Sequence, residues 1–269
     1  MDYIIVTGVN GGMGKATTIK LLNSGYKVIG LDKIIDETFK HENLTQIKCD
    51  ITSEENIKEV YQMILSITDE VDGIIHFVGI YMMDSLIEVE PKRLEQIFKI
   101  NFFGVYLINK TFLPLLKRNS RIIAITSELA PLDPLPFTGI YAITKSTLDK
   151  YCFSLRMELQ LLGIKVSVIR AGAVKTQMLK ASTSSLDEFC DSTKLYNYNA
   201  RCFRDIVNKV EAKSITPEKL ANKVIKVYNT KNPKFSYRIN ANLYLRLLSK
   251  MPKRFQFWII KKVLKKGKA

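Results

Sequence analysis

Short apolar runs alternate with longer stretches whose apolar residues recur at helical spacing, and the alternation holds over most of the chain. Runs at 3–6, 26–31, 46–51, 73–78, 121–126 and 165–170 predict strands. Apolar runs of this kind suit strands covered by helices. The stretches 15–24, 54–66, 91–117 and 141–162 predict helices, with Gly25 and Gly163 as stops after the first and the last. Strand and helix in regular turn predict parallel β-α-β units. The expected fold is α/β, a single-domain doubly wound parallel sheet with helices on both faces.

Past residue 175 the pattern loosens. The segment 177–215 is polar, with Phe189, Leu195, Tyr196, Tyr198 and Phe203 interspersed, and is expected to cover a substrate. Thr216-Pro217-Glu218 predicts a new helix, because Thr suits the N-cap and Pro the first helical position. Residues 231–269 are expected to form a C-terminal extension. Its apolar residues between Leu243 and Leu264 are broken by Arg246, Lys250, Lys253, Arg254, Lys261 and Lys262, too charged a pattern to span a bilayer. Such a stripe fits packing on the domain itself, a subunit contact or a membrane surface. The expectation is that it folds against the domain or a partner subunit with Trp258 shielded, and that peripheral membrane contact through 243–268 is the competing arrangement.

At 269 residues and 46% hydrophobic, the chain is large enough to bury a full core as one domain. The first residues lead straight into a strand-like run, without the basic and apolar stretches of a signal peptide. Cys49, Cys152, Cys190 and Cys202 have no metal-ligand spacing, and His41 and His76 are the only histidines. A cytoplasmic protein with reduced thiols and no metal is expected. The net charge of +15 raises nucleic-acid binding, yet 31 of the 41 basic residues are Lys, whereas Arg is the residue that forks onto phosphates and guanine edges. The dense cluster is the tail from Lys261 to Lys268, suited to an anionic surface. No nucleic-acid partner is expected.

Two motifs carry the chemistry. After the first predicted strand comes Thr7-Gly8-Val9-Asn10-Gly11-Gly12-Met13-Gly14, and glycines where a strand turns into a helix let the backbone approach a pyrophosphate at the helix N-terminus. Asp32 ends the second strand, where a carboxylate accepts from both ribose hydroxyls of NAD and repels the 2′-phosphate of NADP. NAD is favoured over NADP. The second motif is Tyr141 and Lys145, fourteen residues after Ser127 at the end of a strand-like run. A Tyr-x-x-x-Lys pair arises by chance about 1.4 times in this composition, and Tyr106/Lys110 is a second copy without that context. A free phenol titrates near 10, so Tyr141 needs a cation to work near neutrality, and Lys145 lies on the same helical face.

Together these motifs, in order over about residues 3–230, resemble the short-chain dehydrogenase/reductase family. The resemblance implies a Rossmann-type dehydrogenase domain over 1–230 and a catalytic set of Asn101, Ser127, Tyr141 and Lys145. It implies cofactor contacts from Gly8, Asn10, Gly12, Met13, Gly14, Asp32, Asp50, Ile51, Gly79, Tyr141, Lys145, Val174 and Thr176. Ser127 would hold the substrate oxygen, Tyr141 would move its proton, and Asn101 would anchor a water behind Lys145. The chain departs from the family pattern at His76-Phe77-Val78-Gly79, which keeps only the glycine of Asn-Asn-Ala-Gly, and at Ala171, which stands where the family has proline. The implied activity is NAD-dependent interconversion of a secondary alcohol and a ketone on a small or lipophilic (steroid-like or acyl) substrate by a homodimer or homotetramer. The alternatives are a non-catalytic cofactor-binding protein and a membrane-docking protein of the same fold.

Overall fold

In a computed structural model, described for residues 2–211 and 213–265, seven parallel strands form one sheet. They are β1 (Tyr3–Thr7), β2 (Lys27–Asp32), β3 (Leu44–Lys48), β4 (Val71–His76), β5 (Leu116–Ser127), β6 (Lys165–Ala171) and β7 (Ser236–Ile239). Their spatial order is β3-β2-β1-β4-β5-β6-β7, so the direction of winding reverses between β1 and β4. The crevice beyond the carboxyl ends of the strands at such a reversal is where open α/β sheets bind ligands.

Helices cover both faces, which is why the central strands read as apolar runs. α1 (Gly12–Asn23) precedes α2 (Glu54–Leu65), α3 (Pro91–Phe98), α4 (Gly104–Phe112) and α5 (Gly139–Leu159). Ser53 caps α2 by accepting from Asn56 N, and Ile57, Val60 and Ile64 then turn one stripe into the core. α2, α4 and α5 bury one face of the sheet, around Ile74, Phe112, Ile122 and Val166. Further along come α6 (Gln177–Ser192), α7 (Asn197–Glu211), α8 (Pro217–Tyr228), α9 (Leu243–Ser249) and α10 (Lys253–Leu264). Thr216 caps α8 as expected, accepting from Lys219 N, and α8 joins α1 on the other face around Ile4, Ile75, Ile123 and Val224.

Several elements differ from the sequence reading. The sheet continues past residue 230, where the dehydrogenase domain was expected to stop, because β7 pairs with β6 from Val168↔Ser236 to Ala171↔Ile239. The helix expected over 91–117 is broken: residues Lys99–Phe103 widen into a π turn, Pro114 lies in a 3-10 turn, and β5 begins at Leu116. The third strand lies earlier than 46–51, which leaves Asp50 and Ile51 just beyond its end. The loosely patterned segment 177–215 folds into α6 and α7, and its aromatics Phe189 and Phe203 meet Phe137 at ring-centroid distances of 5.0 and 5.5 Å.

The extension splits at Met251-Pro252 into α9 and α10. α10 packs on the α6–α7 pair through Ile260 and Leu264, and Asn199 Nδ2 donates to Leu264 O at 2.8 Å. Within the chain Trp258 is not shielded: it is 53% exposed. No helix among the described residues is long and apolar enough to cross a membrane. Lys266, Gly267 and Lys268 of the predicted basic tail lie outside the described residues.

Candidate active site

The glycine run forms the turn from β1 into α1. Gly8 takes φ +73°, donates to Leu31 O at 2.7 Å, and accepts from Gly11 N at 3.1 Å. A Cβ on Gly14 would stand 2.0 Å from Gly8 O, so α1 can start this close to the strand only on glycine. A Cβ on Gly12 would press to 3.0 Å against Thr176 Cγ2, which brings the loop after β6 against the α1 N-terminus. Asn10 is fixed by its side-chain nitrogen, which donates to Ile34 O and Gln46 Oε1, while its Oδ1 is buried without a partner. Asp32 accepts the Asn10 backbone N–H on Oδ2 at 2.9 Å, which seats its carboxylate beside the loop. Glycines that admit a backbone-hugging ligand, an unmet acceptor on Asn10 and a carboxylate at the end of β2 fit an adenine dinucleotide.

Two basic residues near Asp32 are occupied. Lys33 pairs with Asp50 at 3.0 Å and Lys15 with Asp36 at 2.7 Å. Thr52 also donates to Asp50 through both its N–H and its hydroxyl, and these bonds hold the Asp50 carboxyl down at about 2. Ile51 packs against α4, where a Cβ on Gly104 would come within 2.4 Å of Ile51 Cδ1.

At the other end, the π turn buries Asn101, whose Oδ1 accepts from Ile80 N at 2.8 Å and whose Nδ2 donates to Ile80 O and to Thr144 Oγ1. Thr144 in turn donates to Tyr141 O, so Asn101 ties the loop following β4 to the helix that carries the tyrosine. Ser127 ends β5 and hydrogen-bonds Tyr141, and Lys145 lies one turn further along α5. The Lys145 ammonium donates to Ile125 O at 3.4 Å and sits 5.8 Å from the centre of the Tyr141 ring. Beneath them Arg170 forks onto Asp149, Nε to Oδ1 at 2.9 Å and Nη2 to Oδ2 at 2.6 Å, which clamps α5 to β6.

The electrostatics differ from the simple expectation that Lys145 acidifies the phenol. Burial pushes Tyr141 up to about 12, the Ser127 hydrogen bond opposes this, and the nearby Glu128 carboxylate adds to it. Burial also lowers Lys145 to about 8. In the protein by itself the phenol is therefore a proton donor. His76 is no competitor as a base. It is buried against Asn109, with Nε2 2.9 Å from Oδ1, and burial lowers it to about 4.

The strand ends open into a cleft of about 190 Å³. Ser127, Tyr141 and Lys145 line it together with Met13, Val174 and Thr176 of the expected cofactor set, whereas Tyr106 and Lys110 do not. Its far wall comes mostly from the segment 177–215, in which the sequence reading named Phe203 and expected a cover over the substrate without singling out the others. It is Met178 and Leu179 of α6, Phe203, Ile206, Val207 and Val210 of α7, and Leu245 of α9. The α7 quartet has i, i+3, i+4, i+7 spacing, a signal that was there to be read. Glu128 also lines the cleft, and its carboxylate accepts the Asn242 N–H from the extension.

Residues 2–187 match the family model for short chain dehydrogenases. A probable short-chain type dehydrogenase/reductase, VdlC of Helicobacter pylori, is 27% identical over 247 residues, 90% of each chain. The 3-ketodihydrosphingosine reductase of Bacteroides thetaiotaomicron is 24% identical over 88% of this chain and 87% of its own. A solved short chain dehydrogenase family protein from Francisella tularensis superposes with a TM-score of 0.74 at 24% identity, covering 89% of this chain and 97% of that one. With the fold and the order of motifs, these matches show that the chain belongs to the short chain dehydrogenase family of nicotinamide-dependent oxidoreductases.

Proposed function

We propose that the protein interconverts a secondary alcohol and a ketone on a lipophilic substrate, using NAD. The observation that carries this reading is the convergence of Ser127, Tyr141 and Lys145 at one end of a cleft whose far wall, from α6, α7 and α9, is apolar. When bound along the glycine turn, the cofactor supplies or accepts the hydride. The chain's own residues do the rest. Ser127 orients the substrate oxygen by a hydrogen bond, and Tyr141, protonated over the neutral range, donates to that oxygen as a ketone is reduced. Lys145, beside the tyrosine and the Gly79 backbone, stabilises negative charge that develops on the phenol in the opposite direction. The walls from α6 and α7 exclude water and hold the apolar part of the substrate.

The NAD preference rests on Asp32 and on the ion pairs that occupy Lys15 and Lys33, which leave a 2′-phosphate facing a carboxylate. The lipophilic substrate rests on the cleft wall, and the relative from Bacteroides is named as a 3-ketodihydrosphingosine reductase. Screening secondary alcohols and ketones of increasing chain length with NAD(H), by absorbance of the reduced nicotinamide, tests the reading. Turnover that improves with apolar length supports it, and turnover confined to small polar sugars overturns the substrate class.

We also propose a homodimer. Phe103 and Tyr106 at and within α4, with Phe153 and Met157 of α5, are all at least 37% exposed on neighbouring helices, an apolar face suited to a two-fold copy of itself. Light scattering on a Phe153→Glu/Met157→Glu variant tests this, with a shift to monomer expected.

A further inference from the structure

All of the chain's net charge lies beyond Glu218. Residues 1–218 carry 26 basic and 26 acidic side chains, whereas 219–269 carry 15 Lys and Arg and no Asp or Glu. The same segment holds the most exposed aromatic surface. On α10, Phe255, Phe257 and Trp258 are 45%, 67% and 53% exposed, and on α9 Leu243 and Tyr244 reach 60% and 76%. This exposure does not come from a helix left unpacked, because α10 turns Gln256, Ile260 and Leu264 inward. The outward arc is also ordered. Phe255 stacks on Trp258 at 5.6 Å and 12°, and Lys262 lies 4.9 Å above the Trp258 ring.

From this juxtaposition we infer that α9 and α10 dock on a bilayer surface that carries anionic lipid. Aromatic rings with lysines whose stems lie along them suit the headgroup boundary, where the ring enters the lipid and the ammonium stays with the phosphates. Each Lys or Arg near an anionic leaflet adds attraction that a neutral surface does not provide. A second copy of the chain is a poor occupant, since it would set one acid-free basic surface against another. Asp133, paired with Lys253, is the one acidic neighbour that the ion pairs show for this surface. Position supports the assignment. Leu245 of α9 lines the cleft, and α7 both lines the cleft and packs in one apolar cluster with α10, Phe203 and Val207 belonging to both, so docking sets the cleft beside the lipid.

Trp258 is the only tryptophan and reports the event directly. Titrating the full chain with phosphatidylcholine vesicles that contain phosphatidylglycerol is expected to shift its emission to the blue and carry the protein upward on flotation. Vesicles of phosphatidylcholine alone should do neither. Raised salt should weaken binding, and Lys261→Glu should lower the partition coefficient at least about fivefold. Phe257→Ser, at a position two-thirds exposed, should weaken binding without altering the fold. These readouts need no turnover and stand apart from the redox reading. Failure to float with anionic vesicles overturns the inference, as does binding indifferent to both substitutions. Capture by polyglutamate without vesicle binding also overturns it, in favour of an acidic protein partner.

Discussion

The backbone of Gly79 runs so close to Lys145 that a Cβ there would lie 3.0 Å from Nζ and 3.3 Å from Asn101 Oδ1. Glycine is thus the residue that survives from the family pattern at this turn for a steric reason, while His76, Phe77 and Val78 replace its neighbours. Gly79→Ala should displace the ammonium rather than unfold the chain, because a flexible side chain gives way more readily than backbone. The expected outcome is a loss in kcat/KM of about tenfold or more, consistent with the sensitivity of catalysis to small displacements. A melting temperature close to that of the parent, measured alongside, would show that the loss lies in the site.

The acid–base role separates three residues. Tyr141→Phe should lower turnover by about 10²–10⁴ and leave NAD binding largely intact, since the phenol acts on the substrate oxygen. Lys145→Ala should damage both, because the ammonium lies between the phenol and the Gly79 turn. Tyr106→Phe, at the chance copy of the motif on α4, should leave turnover unchanged. Steady-state rates with cofactor titration by fluorescence check the ordering, and parent-like activity in Tyr141→Phe removes the phenol from the mechanism.

Cofactor choice depends on Asp32. The parent should bind NAD more tightly than NADP, and Asp32→Ala should narrow the gap from both sides by removing the acceptor for the ribose diol and the charge facing a 2′-phosphate. Because Asp32 also accepts the Asn10 N–H, NAD affinity should fall as well. Parallel titrations of both cofactors on both proteins decide the matter.

The alternation that produced the sheet was legible because most of its first six strands, β3 excepted, are largely buried and so read as apolar runs. β7 was not, since Ser236-Tyr-Arg-Ile is short, half polar and held at the sheet edge by pairing to a strand 68 residues earlier (Val168↔Ser236). The candidate residues Ser127, Tyr141 and Lys145 could be singled out by spacing and context together, because Tyr141 and Lys145 share a helix and Ser127 ends a strand. The π turn around Asn101 could not, because no proline or glycine pair marks it and its cause is the tertiary clasp on Ile80 and Thr144. Within the segment expected to cover the substrate, the wall residues other than Phe203 were missed for another reason. The stripe Phe203, Ile206, Val207 and Val210 is interleaved with charged residues, and its partner Leu245 comes from a distant helix. The concentration of charge beyond Glu218 was visible in the sequence but masked by reading the chain's charge as a whole.

His76 offers a test of stability. Burial lowers its folded value to about 4 from an ordinary 6.5, so the unfolded chain takes up a proton first as pH falls. Stability is therefore full above about pH 6.5 and is lost as pH drops toward about 4, by a total on the order of 3 kcal/mol. Urea unfolding across that window should show the decline, and His76→Gln should flatten it at the cost of a lower baseline, since Asn109 loses its present partner. An unchanged slope in the variant assigns the acid sensitivity to other groups.

Glu128 gives the last prediction. Its carboxylate lies in the cleft wall after Ser127, is tied to the extension through the Asn242 N–H, and adds like charge to the burial that raises Tyr141. Alcohol oxidation needs the phenol deprotonated, so its rate should climb with pH toward the tyrosine's own titration. Replacing the charge in Glu128→Gln removes one of the two effects that raise Tyr141 and leaves the opposing Ser127 hydrogen bond in place. The rising limb should then move to lower pH, with the oxidation rate at neutral pH increased. Burial raises Glu128 itself, so the wild-type influence should fade on the acidic side as that carboxyl takes up a proton, and the two profiles should converge there. Profiles of kcat/KM for one secondary alcohol on both proteins measure this. A limb that stays in place shows that Glu128 serves only to hold the extension, whereas a shift upward would mean that the carboxylate takes the proton from the phenol.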